Sequence, residues 1–492
     1  MFVVIIHKIR TLLVLTSLTL FIFMIAGKAS GQVEKDAIML KNNKFHHEMP
    51  DGEYLPAEPG PRMTSQSYRY ISTHFSIVQV NVDENGNNIL HDAANEPSMA
   101  HNPNNPNQLA IGWRQFDNVN SNFRQAGYAF SNDGGNTWTF PGKIDPGIFR
   151  SDPVLGYDRE GYLYYNSLTS QNDQYWTNVY RSSDGGASWD MGTFAQGGDK
   201  QWMSIDHTTG TGGGNIYEFW NGYYSVCSPY GFTRSVDGNN SYENCSSIPG
   251  DPYWGTTMVG PDGKLYMCGN FWAGGFMVAV SSTAQDPNGD VTWAQTVQVS
   301  LDGENTGNDG GSSPNPGGLL GQSIITMDST GGPYDGYIYL LCSVDRNTNT
   351  DPRDVMFSRS TDGGWNWSNP KRINDDIGNN AYQWFGTMSV APDGRIDVIW
   401  LDTRDNPGSV VSALYYSYSL DGGITWKRNE KLSESFNPYL GWPQQNKMGD
   451  YFDMYSDTHG AHLAWTATFN GEQNVYYSVI RPQYTHLKPT LW

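Results

Sequence analysis

One octet recurs along this chain and limits what it can fold into. It reads SNDGGNTW at 131–138, SSDGGASW at 182–189, STDGGWNW at 360–367 and SLDGGITW at 419–426, with a worn copy, SVDGNNSY, at 235–242. The shared pattern, S-x-D-x-G-x-x-W, is that of a hairpin turn. The Asp accepts backbone N–H bonds, the Gly takes positive φ without strain, and the Trp packs back beneath the turn. Each copy lies between two strand-like runs, so the same hairpin is built several times over. Repetition at this scale marks a solenoid or a radial array.

A second repeat counts the units. EPSMAHNP (96–103), SDPVLGYDREG (151–161), DKQWMSIDHT (199–208) and DPYWGTTMVGPDG (251–263) each run from a polar opening through a small apolar stretch to a turn. GQSIITMDSTGG (321–332), QWFGTMSVAPDG (383–394) and GDYFDMYSDTHG (449–460) follow the same plan. An alternating strand follows each one, as in YLYYNS, KLYMCG and RIDVIW. A third strand then leads into the octet and a fourth leaves it. The seventh unit ends at NVYYSVI (474–480) with no fourth strand, whereas an unassigned strand, HFSIVQVNV (74–82), precedes the first unit. A ring closed by that N-terminal strand accounts for both and leaves no open sheet edge. The chain is therefore predicted to be all-β, a seven-bladed β-propeller of four-stranded blades over residues 72–485, with a six-bladed ring as the alternative.

Ahead of the ring, Lys8 and Arg10 precede an apolar run from Thr11 to Ala26, and small residues at Ala29 and Gly31 suit a peptidase. Residues 1–31 read as a secretory signal peptide and 32–71 as a flexible leader. The expected location is secreted, periplasmic or extracellular, with no membrane association after cleavage. Export permits disulfides, and Cys227 and Cys245 are spaced to close one short loop, while Cys268 and Cys342 sit in apolar strand patterns. With 30 Lys and Arg against 50 Asp and Glu, the net charge is −20, which disfavours nucleic acid as a partner.

The octets resemble the Asp boxes of bacterial neuraminidase repeats, and residues 74–482 resemble the sialidase-like β-propeller superfamily. That resemblance implies a glycosidase acting on acidic sugars through an arginine triad, a carboxylic acid and a Tyr nucleophile. It also implies that Asp133, Asp184, Asp362 and Asp421 are structural. The chain departs from the usual pattern in blade number, and in carrying Glu96-Pro97-Ser98 where such enzymes have Arg-Ile-Pro.

In a propeller the start of each innermost strand and the loop between second and third strands face the ligand. Those positions supply the catalytic candidates Asp450, Tyr451, Asp152, Asp199 and Asp251. The substrate-binding candidates are Arg114, Arg346, Arg404, Trp202, Trp254, Gln383 and Trp384. Glu96, Lys200, Gln201, Tyr253, Trp272, Gln322 and Lys447 share the same mouth. Three guanidinium forks would clamp a carboxylate or sulfate; the alternative is that Arg346 and Arg404 tie loops to neighbouring acids. Paired carboxylates suit glycoside hydrolysis, and the tryptophans would stack on sugars or fill gaps between blades. The expected partner is a carbohydrate, an acidic glycan, and the protein is expected to be a monomer. A lyase on uronate-containing glycans and a non-catalytic glycan- or protein-binding propeller are the competing readings. No cofactor is expected. Asp83–Asn88 and Asp302–Asp309 are candidate structural calcium sites, read here as solvated turns.

Overall fold

The computed structural model describes residues 52–57, 60–306, 312–348, 351–378 and 380–482. The chain divides into residues 1–47 and 48–492, and all the described residues belong to the second unit. The signal-peptide segment lies outside them.

These residues form strands and turns with no helix among them, arranged as seven blades. Blade 1 comprises Ala93–Asn102, Asn105–Phe116, Gln125–Ser131 and Thr139–Ile144. Blade 2 comprises Ser151–Tyr157, Leu163–Gln171, Gln174–Ser182 and Thr193–Phe194. Blade 3 has three strands, Trp202–Ile205, Ile216–Phe219 and Phe232–Ser235, and its fourth is reduced to a single bridge between Phe232 and Ser246. That is where the worn octet leaves the poorest fourth-strand sequence. Blade 4 runs Thr257–Val259, Leu265–Asn270, Phe276–Ser281 and Gln295–Val299. Blade 5 runs Ile324–Met327, Ile338–Arg346, Asp354–Ser360 and Lys371–Arg372, with Gly303–Glu304 paired to the end of its second strand. Blade 6 runs Gln383–Val390, Ile396–Asp402, Ala413–Ser419 and Glu430–Lys431.

Blade 7 closes the ring. Asp453–Ser456, Ala461–Ala467 and Asn474–Ile480 are completed by the N-terminal strand Phe75–Gln79, in register from Phe75↔Ile480 to Gln79↔Tyr476. Arg69–Ile71 adds a fifth strand outside it. This corrects the reading of residues up to 71 as a flexible leader. Thr64–Ser65 pairs with Asn88–Ile89, and the Ser121 hydroxyl donates to the Glu53 carbonyl at 2.7 Å, so the described part of the leader is tied to the ring.

The octets are turns of the expected kind. In the first, Ser131 Oγ donates to Asp133 Oδ1 at 2.8 Å, and Asp133 Oδ1 accepts the Thr137 N–H at 2.9 Å. Both glycines are left-handed, Gly134 at φ 72° and Gly135 at 83°. In the worn copy Asn239 takes the second such position at φ 73°, a conformation Asn tolerates better than most residues. Between blades the core is apolar, as where Val78, Met99, Ile111, Trp113, Ala464 and Tyr477 pack across the closing seam.

Cys227 and Cys245 are joined as a disulfide within the top loops of blade 3, the blade whose sheet is shortest. Closing a loop of 18 residues removes about 3 kcal/mol of unfolded-state entropy. Replacing both cysteines with serine is expected to lower the urea-unfolding free energy by that order, and reductant should do the same to the native chain. Cys268 and Cys342 are buried free thiols.

Candidate active site

The antiparallel order of each blade puts the start of its inner strand, and the loop between its second and third strands, at one end of the ring. The octets lie at the other. At these starts the backbone does something unusual for residues other than glycine. Glu96 (φ 55°), Asp152 (47°), Lys200 (55°), Trp254 (55°) and Phe385 (56°) all adopt the left-handed conformation. They occupy equivalent positions in blades 1, 2, 3, 4 and 6, each six places before the turn that ends the inner strand. A side chain in this conformation costs roughly 1–3 kcal/mol, so five repetitions call for a compensating interaction.

In blades 1 to 3 the compensation is electrostatic. Lys200 Nζ lies 2.9 Å from Asp152 Oδ2, 2.7 Å from Asp450 Oδ2, 3.7 Å from Asp199 Oδ1 and 3.8 Å from Glu96 Oε1. Arg114 Nη2 lies 3.2 Å from Glu96 Oε2, and Lys447 Nζ 2.8 Å from Asp450 Oδ2. The seven residues come from blades 1, 2, 3 and 7 and are buried. Burial pushes the Lys200 ammonium down, but the four carboxylates, Asp152 first, outweigh it and hold the group well above its ordinary pKa. Glu96 moves the other way. Its burial raises the carboxyl despite the downward pull of Arg114 and Lys200, and Asp450 and Asp152 add to the rise. Four acids face three bases, so a protonated Glu96 leaves the cluster neutral.

Hydrogen bonding separates the acids further. Asp450 Oδ1 accepts the Leu319 N–H at 2.7 Å, and Asp152 Oδ1 accepts the Ser151 hydroxyl at 2.5 Å. Both oxygens of Glu96 lack a directed hydrogen bond among the described residues, their ion-pair contacts notwithstanding. Asp152 and Asp450 touch one ammonium, so their carboxylates are separated by no more than two ion-pair lengths. The segment around Asn315 covers Asp450: Asn315 Nδ2 donates to the Gly449 carbonyl at 2.8 Å, and the Met448 N–H donates to Asn315 Oδ1 at 2.8 Å.

The other sequence candidates are placed differently. Tyr451 joins the cluster, but its hydroxyl donates to the Pro153 carbonyl at 2.8 Å and burial holds the phenol well above its usual range. It is a strut between blades 7 and 2, and the Tyr-nucleophile reading is corrected accordingly. Asp251 lies at the top of blade 4, where its carbonyl takes the Trp272 indole N–H at 3.1 Å. The three arginines do not form a triad. Arg346 is spent on Asp302 (2.8 Å) and Asp354 (3.1 Å). Arg404 is spent on Asp402 (2.8 Å) and Asp375 (2.7 Å), with its guanidinium 4.5 Å from the centre of the Tyr415 ring. Both tie loops together, which the many neighbouring acids favour. Trp202 packs in the core between blades, against Tyr451. Trp384 is fully buried with its indole on Ser412 Oγ, and Gln383 bonds Asp402 and Asn374. Neither is a stacking surface. Trp254 is buried, but its indole N–H has no hydrogen-bond partner among the described residues.

Glu218 was not singled out from the sequence. It is fully buried between blades 2 and 3, where Thr177 Oγ1 donates to its Oε1 at 2.6 Å. Burial pushes its carboxyl up to about 8, with the Thr177 and Asn166 side chains opposing. A carboxyl raised in the folded state contributes stability below its unfolded pKa, and that contribution is lost as pH climbs through the folded value. The shift from 4.5 to about 8 corresponds to about 5 kcal/mol. Glu218→Gln is therefore expected to flatten the fall in stability between about pH 4.5 and 8, as followed by urea unfolding.

A cleft of about 710 Å³ opens on the octet face, lined by turns of blades 3 to 5 including Ile205, His207, Met258, Asp262 and Met327. It is remote from the charged cluster. At the candidate calcium positions, Asp83 Oδ1 accepts the N–H groups of Asn85 and Asn87, and Asp302 pairs with Arg346.

No protein-family model matches the chain, and no curated protein matches it. Among solved structures it is similar to a protein of unknown function from Dyadobacter fermentans, at 12% identity and TM-score 0.46, over 83% of this chain and 98% of that one. It is also similar to the Hadza microbial sialidase Hz136, at 13% identity and TM-score 0.40, over 79% of this chain and 66% of that one. A GH93 alpha-L-arabinofuranosidase of Fusarium graminearum with arabinobiose is similar at 12% identity and TM-score 0.29, over 85% of this chain and 98% of that one. Similarity at this level carries no inference about the chemistry of the site.

Proposed function

We propose that the protein is an exported glycoside hydrolase whose reacting groups lie at the propeller axis. One observation carries the reading: Glu96, raised by burial and free of directed hydrogen bonds, sits beside Asp152 and Asp450, which share the Lys200 ammonium. Hydrolysis of a glycosidic bond needs a protonated acid and an ionised carboxylate at close quarters, and environments that push two carboxyls apart assign those roles. Glu96 is the proton donor, and Asp152 or Asp450, kept charged by Lys200, is the base or nucleophile. Arg114 orients Glu96. For substrate to enter, the segment around Asn315 must lift from Asp450. The apolar run after Lys8 and the Cys227–Cys245 disulfide support export. Acidic-sugar specificity loses its support, because Arg114 is committed to Glu96 as Arg346 and Arg404 are to loop acids.

A second reading is favoured by a different fact. Every charged group of the cluster is buried, and together they nearly balance. On that reading the cluster is a structural plug and the propeller binds without catalysing.

Mass spectrometry of products from a panel of neutral and acidic glycans separates these. Fragments carrying one added water establish hydrolysis. Fragments lighter by one water mean elimination and overturn the proposal in favour of a lyase. No cleavage across the panel brings the binding reading forward.

A further inference from the structure

The mouth is not charged all round. On its blade 4 side, Tyr253 and Trp272 stack on one another, with ring centres 4.5 Å apart and planes inclined by 33°. Both are partly exposed. Their positions are fixed from below. Tyr253 exchanges backbone hydrogen bonds with Asn270, and the Trp272 indole N–H is held by the Asp251 carbonyl. Asn270 Nδ2 donates to the Asn305 carbonyl at 2.7 Å, and Asn305 Nδ2 donates to the Gly321 carbonyl at 2.8 Å, linking blade 4 to blade 5.

At the mouth ends of blades 4 and 5 are buried polar atoms with no hydrogen-bond partner among the described residues: Asn270 Oδ1, Trp254 Nε1, and both amide atoms of Gln322. Their residues are 4%, 2% and 1% exposed respectively. The Trp254 carbonyl accepts the Ser323 N–H, so Trp254 and Gln322 are neighbours on adjacent inner strands. Buried donors and acceptors of this kind are costly unless a partner meets them. The acidic side chains nearby, Asp251 and Glu304, disfavour an anion.

We infer that this side of the mouth is a subsite for one neutral pyranose ring, stacked on the outer face of the Tyr253–Trp272 pair and hydrogen-bonded through its hydroxyls to Asn270, Trp254 and Gln322. A sugar ring offers the apolar C–H face and polar edge that such a surface complements. The inference rests on the glycan-active reading and names the sugar class adjoining the Glu96 centre.

Calorimetric titration of the mature protein with cellohexaose, xylohexaose and mannohexaose tests it. At least one should bind, and Trp272→Ala should weaken that binding about tenfold or more, with Trp272→Phe retaining most of it. Gln322→Leu, which leaves the aromatic pair intact, should also weaken binding. Thermal unfolding of each variant separates lost affinity from lost fold. Binding unchanged in both Trp272→Ala and Gln322→Leu overturns the subsite, as does binding confined to acidic glycans or to none. Trp272-dependent binding without cleavage leaves the subsite standing and removes the hydrolase reading. Cleavage that ignores both substitutions does the reverse.

Discussion

Lys200→Met is expected to lower the unfolding free energy by about 3–5 kcal/mol at neutral pH, the cost of leaving buried charge uncompensated. The side chains are similar in volume, so the loss is electrostatic. Without the ammonium, Asp152 and Asp450 lose the cation they share, while Lys447 stays paired with Asp450. Each can escape by taking up a proton, so the penalty should shrink as pH falls toward 4 and grow as it rises. Adding Asp152→Asn and Asp450→Asn should recover part of the loss, because the neutral amides no longer need the cation. Urea unfolding of wild type, single and triple variants between pH 4 and 8 gives the comparison. A Lys200→Met protein within 1 kcal/mol of wild type at pH 8 would show that water, not Lys200, stabilises these carboxylates.

Glu96→Gln should act on rate instead. The amide copies the shape of the protonated acid but cannot give up a proton, and losing a general acid lowers turnover about 10²–10⁴-fold. Relative to wild type, stability should rise as pH climbs from about 4.5 to about 8, because over that window wild-type Glu96 ionises on unfolding and the amide does not. Wild-type activity should decline on the alkaline side as Glu96 ionises, and the variant's residual activity should lack that decline. The readout is kcat/KM against pH on whichever glycan the product panel identifies. Unchanged kcat/KM in Glu96→Gln would remove Glu96 from the reaction.

The ring could be read from the sequence because its information is local. Each octet carries its own turn chemistry, each inner strand announces itself with a polar opening and a turn, and the surplus N-terminal strand matches the missing C-terminal one. The charged centre is of another kind. Glu96, Asp152, Lys200 and Asp450 span most of the chain, and only ring closure puts them together. Sequence reasoning placed all four at the mouth, but it could not see that one lysine would hold four acids, or that Glu96, Asp152 and Lys200 would share a left-handed backbone. For Arg404 the adjacent Asp402 was visible, whereas Arg346 pairs with Asp354 and with Asp302, 44 positions away, which the fold and not adjacency brings to it. Glu218 left a readable mark, one acidic residue inside the apolar run NIYEFW, which only a full account of buried charge would have used.

The seam between Phe75–Gln79 and Asn474–Ile480 also sets an order of events in synthesis. His74 Nδ1 meets the Arg481 carbonyl, 407 positions further on. At about 5–20 residues per second, the first blades wait tens of seconds for the strand that completes the circle. Until then the outer edge of the seventh sheet has no mate, and the axial acids from blades 1 and 2 have no Asp450 to share their cation. Local hairpins can form as they emerge, but the circle is sealed by the last strand made. Any factor that binds exposed strand edges has its window on this protein before residue 480 is delivered, and loses it afterwards.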